Sequence, residues 1–362
     1  MNTKEWWDSL SDYWQDIFAG HIYCLENKYS YQYLKDIIKD MYKISDEMNF
    51  YSPMRTDIFN VLGFIYNNGN VFGNKELNLN TSDINYHLIK SLDFLILSSL
   101  EISSLENIEH LVNLKVLEAQ NTSIENFSSI SKLLKLEILN INSTKISNIN
   151  GIKNLNNLKE LSIGFNKIYD ITELKYLSEI ESLYLSDNLI EEIDSLGFLT
   201  NLKKIYLTKN PILDFTPISN LQNIKYLAAN NCQFHNISSI IRNCNLEYLT
   251  LSNNQIFDFE NIKHLTKLKY LECNECSIEN IESISYLNDI EVLNIYGNRI
   301  KDLKPISKLK NLKQISIINN PISDITPLLE NETIEEIYTR GTLIDNPQKK
   351  MFKLLRPNCK LK

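Results

Sequence analysis

Cys273 and Cys276 have the three-residue spacing with which two thiolates share a zinc ion or close a redox disulfide. Zinc would need two more ligands. The five histidines, His21, His87, His110, His235 and His264, form no H-E-x-x-H or other ligand spacing. No phosphate-cradling G-x-x-x-x-G-K-[ST], dinucleotide-binding G-x-G-x-x-G or nucleophile-elbow G-x-S-x-G occurs. The other chemistry-bearing residue is tyrosine. Tyr226, Tyr248 and Tyr270 follow one another at steps of 22 residues, as do Tyr184 and Tyr206. Tyrosine gives a large contact area for little conformational entropy, which is the chemistry of recognition rather than catalysis. The expectation is therefore a chain with no catalytic residues, no metal and no cofactor.

The same step of 22 residues governs the element that must position those side chains. Units begin at Leu92, Leu114, Leu136, Leu158, Ile180, Leu202, Ile224, Leu246, Leu268, Ile290, Leu312 and Ile334, with no insertion. In the unit from Leu158, apolar residues recur at Leu161, Ile163, Ile168, Ile171, Leu174 and Leu177. Alternation at Leu161 and Ile163 is the period of a short strand with one face buried, and the later spacing of three suits 3₁₀ or short helical turns. One such coil cannot bury its own apolar face. Neighbours must stack, pairing their strands in parallel. At about 4.8 Å per strand, twelve coils make an arc roughly 55 Å long.

Two polar columns test this register. The ninth position holds Asn166, Asn188, Asn210, Asn254, Asn298 and Asn320, with Thr122, Thr144, Cys232, Cys276 and Thr342 in other coils; only Leu100 has no polar group there. An inward amide both donates and accepts, so it can satisfy the backbone where the strand turns. Four residues later come Asn126, Asn148, Asp170, Asp214, Asn236, Asp258, Asn280, Asp302, Asp324 and Asn346, side chains able to cap the turn that starts the convex side. Pro217, Pro305 and Pro327 share one later position. By this register Cys273 is a strand core residue and Cys276 a ladder residue, a structural role for both.

With phrases such as Asn320-Pro321-Ile322-Ser323-Asp324-Ile325-Thr326-Pro327-Leu328 and Asn210-Pro211-Ile212, residues 92 to about 345 resemble the leucine-rich repeat family, in the 22-residue bacterial class of the internalins. The resemblance implies an α/β fold: a right-handed solenoid with a curved parallel sheet on its concave face, used to bind proteins. Internalins are surface-anchored adhesins with an export signal, an immunoglobulin-like region and a wall anchor. None of the three is read in this chain, so host-cell invasion is not expected of it.

The 362 residues divide into a helical N-terminal cap region at 1–75, repeats at 76–345 and a C-terminal cap at 346–362. Trp7, Leu10, Trp14, Ile17 and Phe18 share one helical face opposite Asp8, Asp12 and Asp16, as suits a cap packed on the first coil. A second helix is expected from Tyr31 to Tyr42, a third from Ser52-Pro53 through Ile65, and a truncated strand over Glu76–Asn80. Positions 61–72 read equally as helix or as a hairpin around Asn67-Asn68-Gly69. After Asn346-Pro347, Met351, Leu354 and Leu355 give the apolar stripe of a closing helix. No signal peptide or apolar span of about 20 residues is read, and six cysteines are too few for a disulfide scaffold, so a cytoplasmic protein is expected.

Third, fifth and seventh residues of each unit project from the strand away from the core. They place Tyr184 and Tyr206 in the fifth column, Tyr226, Tyr248 and Tyr270 in the third, and Tyr296 in the seventh. Phe165 lies at an eighth position, and Tyr338 near the end. Five consecutive coils are thus expected to carry an exposed tyrosine, forming a partner-binding face. Glu160, Asp187, Glu272, Glu275 and Glu336 outnumber Lys204, Lys209 and Arg340 around them, which favours a protein partner with a basic or mixed surface. The net charge of −8 disfavours nucleic acid, and an acidic helix face disfavours membranes. The expected function is a non-catalytic protein-binding module, monomeric when unbound, in one form an intracellular inhibitor or immunity-type protein. Carbohydrate binding, or a scaffold using the N-terminal cap, are the alternatives.

Overall fold

Leucine or isoleucine at the fourth position of each unit and the residue at the sixth point inward, and the third to fifth residues form a strand of three. The computed structural model describes residues 3–11, 14–15, 17–18, 86–106 and 108–362. The strands are β1 (Phe94–Ile96), β2 (Val116–Glu118), β3 (Ile138–Asn140), β4 (Glu160–Ser162), β5 (Ser182–Tyr184), β6 (Lys204–Tyr206), β7 (Tyr226–Ala228), β8 (Tyr248–Thr250), β9 (Tyr270–Glu272), β10 (Val292–Asn294), β11 (Gln314–Ser316), β12 (Glu336–Tyr338) and β13 (Lys360–Leu361). They form one sheet in sequence order. From β1 to β12 every pairing is parallel and joins residues 22 apart, such as Leu161 with Leu183 and Leu183 with Ile205.

Behind the sheet lies one continuous core. Leu158, Leu161, Ile163, Ile168, Leu174 and their equivalents are fully buried. The convex side is built of 3₁₀ turns such as Thr172–Tyr176 and Glu282–Tyr286. The expected capping column starts them: Asp170, Asp214, Asn280, Asp302 and Asp324 each accept from the backbone N–H two residues on, at 2.8–2.9 Å. Asp258 differs, reaching back one coil to the N–H groups of Ile237 and Ser238. Asn346 also departs from expectation. It lies inside helix α2 (Asn346–Leu355), and Asp345 caps that helix by accepting from Gln348 N–H at 2.8 Å.

The ladder asparagines tie coil to coil. Asn188 donates to the carbonyls of Ile163 and Leu185 at 3.0 and 2.9 Å and accepts from Ile168 N–H at 3.0 Å, tying two coils together. Asn210 repeats this on the next coil. Cys232 holds the same place with its thiol 3.1 Å from the Leu207 carbonyl, and burial pushes that thiol up to about 11. Cys273 and Cys276 are both buried, with the Cys276 thiol 3.2 Å from the Leu251 carbonyl.

After each strand the chain turns through a left-handed residue at the eighth position, with φ between 52° and 73° in all twelve coils. Asparagine and glycine adopt that conformation readily, whereas Phe165, Lys209 and Glu275 do so at a cost of about 1 kcal/mol each.

At the N-terminal end, α1 (Thr3–Asp8) and the residues after it bury Trp6, Trp7, Leu10, Trp14, Ile17 and Phe18 in the same core as Ile89 and Leu92. Trp6 packs on Phe18 and on His110, with ring centroids 5.4 and 5.5 Å apart. The helices expected at 31–42 and 52–65, the strand at 76–80 and the segment 61–72 lie outside the described residues. At the other end, α2 faces the array through Phe352, which is fully buried, and not through the expected stripe. Leu354 and Leu355 are 81% and 60% exposed. The chain then adds β13, where Leu361 pairs with Ile337 at a step of 24 residues, outside the 22-residue register.

Candidate functional site: the concave tyrosine stack

The parallel register sets Tyr184 beside Tyr206 and Tyr226 beside Tyr248 and Tyr270. Their rings form one row across five strands, with successive centroids 4.5, 4.7, 5.7 and 6.4 Å apart. The row changes column between β6 and β7, from the fifth to the third position. It survives because a phenol ring is long enough to lean across one residue pair, and Tyr206 meets Tyr226 at 4.7 Å.

The five rings are not equally open. Tyr184, Tyr206 and Tyr248 are half-buried, but Tyr226 is only 8% exposed and Tyr270 4%. The expectation of five exposed tyrosines is therefore corrected: three rings are half-buried and two are buried. Tyr226 is covered because a ring stands on each side of it. Tyr270 is covered because Tyr248, Glu272 and Asn294 close round it: its hydroxyl donates to Glu272 at 2.9 Å and accepts from the Asn294 amide at 3.1 Å. Burial, with Glu272 beside it, raises the Tyr270 phenol well above its ordinary range, so it stays a donor.

The remaining expected site residues stand apart from the stack. Phe165 is 47% exposed on the left-handed turn after β4. Tyr296 donates its hydroxyl to Glu275. Tyr338 donates to Glu336 at 2.7 Å, with the Lys362 ammonium 4.7 Å from its ring centre. Hydrogen bonds from Tyr338, Lys362 and Lys360 hold the Glu336 carboxyl down at about 2. On β6, in register with Tyr226, burial pushes the Lys204 ammonium down to about 8.

Two features escaped the sequence reading. The second position of the units alternates in charge except from Lys203 to Lys225, and its neighbours pair: Lys159 with Glu137 at 3.0 Å, Lys203 with Glu181 at 2.7 Å, Lys225 and Lys269 with Glu247 at 2.9 and 2.7 Å, and Lys313 with Glu291 at 2.6 Å. The lysines are half exposed or nearly so, so each pair is worth at most about 1 kcal/mol. Its effect is to make this flank self-neutralising. The signal was in the sequence as a 22-residue charge alternation. Second, Asn243 and Asn331 occupy a convex core position that is leucine in most coils, and both are buried. Their amides donate to carbonyls of the preceding coil, Ile218 at 2.9 Å and Ile306 at 3.2 Å.

A parallel sheet advancing one coil per 22 residues over an asparagine ladder, with 3₁₀ turns behind it, is a right-handed leucine-rich-repeat solenoid, here in internalin-like form. The family model for leucine-rich repeats in two copies matches residues 178–223 and 288–330. No curated protein matches the chain. Among solved structures, an internalin (InlF) from Listeria monocytogenes is 27% identical with a TM-score of 0.74, over 78% of this chain and 84% of that one. A leucine-rich-repeat protein of Leptospira interrogans is 24% identical with a TM-score of 0.64, over 75% of each chain. The mouse RP105/MD-1 complex is 22% identical with a TM-score of 0.64, over 76% of this chain and 51% of that one. The last two likenesses show the fold alone. Among the described residues no helix is long and apolar enough to cross a membrane.

Proposed function

We propose that this chain is a non-catalytic module that binds a partner protein along its concave tyrosine row. The observation that carries the reading is the continuous stack from Tyr184 to Tyr270, whose half-buried members Tyr184, Tyr206 and Tyr248 offer phenol edges and hydroxyls to a docking surface. Phe165, Tyr296 and Tyr338 extend the contact face, and Glu272 marks its acidic part. The partner has a basic or mixed surface and is neither nucleic acid nor membrane. The chain is bacterial, works in the cytoplasm and is monomeric until bound. One role that fits is an inhibitor or immunity-type protein that occludes its target. Residues 1–75 and 346–362 close the ends of the array at 76–345, a role supported by the buried tryptophans and Phe352.

The stacking argues against the carbohydrate alternative. Tyr184 and Tyr206 lie face to face at 14°, so a sugar ring would meet ring edges where it needs faces. The test is affinity capture from a lysate of the source cells. Tagged wild-type chain is compared with a variant carrying Tyr184→Ala, Tyr206→Ala and Tyr248→Ala that keeps its thermal midpoint within a few degrees. A protein held only by the wild type supports the reading, and its complex is expected to bury roughly 1,200–2,000 Å². Equal recovery by both removes it.

A further inference from the structure

In the β9 half of the tyrosine row, the charge on the outward strand positions is acidic. Among the outward positions of β7 to β11 and the turns after them, the only charged side chains are Glu272 and Glu275, both on the coil of β9. The lysines that flank this part of the row, Lys225 and Lys269, are both taken up by Glu247, at 2.9 and 2.7 Å.

Glu272 is held ready. One carboxylate oxygen accepts from the Ser252 hydroxyl at 2.8 Å and the other from Tyr270 at 2.9 Å. Each oxygen keeps a further lone pair, so the carboxylate is fixed in one rotamer with both oxygens still able to accept. Independently, Thr250 stands directly beside Glu272 in the sheet, more than nine-tenths buried, and its hydroxyl has no partner among the described residues. That hydroxyl can accept one hydrogen bond and donate another. Tyr248, on the same strand as Thr250, adds a half-buried aromatic ring.

We propose that Glu272, with Thr250 beside it and Tyr248 and Tyr270 as aromatic flanks, is the seat for an arginine side chain of the partner protein. The inference rests on the concave binding reading. A guanidinium matches the seat better than an ammonium, because its planar fork pairs with both carboxylate oxygens. Because Glu272 is already ordered by Ser252 and Tyr270, seating the cation costs little further side-chain entropy.

The experiment is calorimetric titration of the full chain with three blocked pentapeptides, Gly-Ser-X-Ser-Gly, in which X is arginine, lysine or its neutral isostere citrulline. The arginine peptide is expected to bind at least about tenfold more tightly than the citrulline peptide. That difference should vanish in Glu272→Gln and persist in Glu330→Gln, a charge removal on the convex side, with circular dichroism verifying both folds. Equal affinity for arginine and citrulline overturns the proposal, as does no heat of binding up to about 10 mM peptide. Equal affinity for arginine and lysine overturns the guanidinium assignment. If the triple tyrosine variant loses the captured partner but arginine dependence is absent, this inference falls alone. If tyrosine dependence is absent too, both readings fall.

Discussion

The asparagine ladder and the tyrosine stack both run across the strands, and both spend one side chain per coil. They differ in what their partners are. Ladder amides bond backbone groups whose positions the coil itself dictates, so the column stays at one position and, after Leu100 in the first coil, admits only small polar replacements such as threonine and cysteine. Stack rings bond chiefly one another, so the column can step from the fifth to the third position and continue. The ladder is what makes a coil; the stack is what distinguishes these five coils from the rest.

Breaking the ladder should have the largest effect. Asn188→Ala strands one buried N–H and two carbonyls, and chemical denaturation is expected to show a loss of about 4 kcal/mol. In the stack, Tyr226→Ala removes a buried ring with neighbours on both sides and should cost about 3 kcal/mol. Tyr184→Ala, at the open end of the stack, should cost about 1 kcal/mol or less yet weaken partner binding. If the two variants lose equal stability, the division into buried and presenting rings is wrong.

A smaller effect follows from Tyr270. Its folded-state phenol lies above the ordinary value of 10.0, so its contribution is complete below pH 10 and declines as the pH rises past that point, where only the unfolded chain ionises. Alkaline unfolding followed by circular dichroism should begin near pH 10 and be delayed in Tyr270→Phe. The smallest change is a gain. Phe165→Asn relieves a phenylalanine at φ 56° and should add about 1 kcal/mol to stability while removing an exposed aromatic ring. Measured together, the two outcomes show whether that strain serves binding.

The array was legible because its determinants are local and repeated. Leucine spacing placed all twelve strands from β1 to β12, and the two polar columns were each visible as a residue type recurring at 22. What was not legible depends on neighbours or falls outside the period. Strand alternation says which face Tyr226 and Tyr270 occupy but not that adjacent rings and an asparagine will cover them. Helical periodicity allowed a stripe of Met351, Leu354 and Leu355, whereas the helix docks through Phe352. β13 has two residues and a step of 24, so nothing in the repeat announced it.

The uniform coil length has a genetic consequence. Because every coil is 22 residues long with its strand, ladder residue and turn in the same places, unequal crossing-over between coding repeats adds or deletes whole coils without disturbing the frame of those that remain. Such an event outside β5 to β9 would lengthen or shorten the arc and leave the recognition row whole. Inside that span it would change the number of stacked rings in one step while preserving a folded protein.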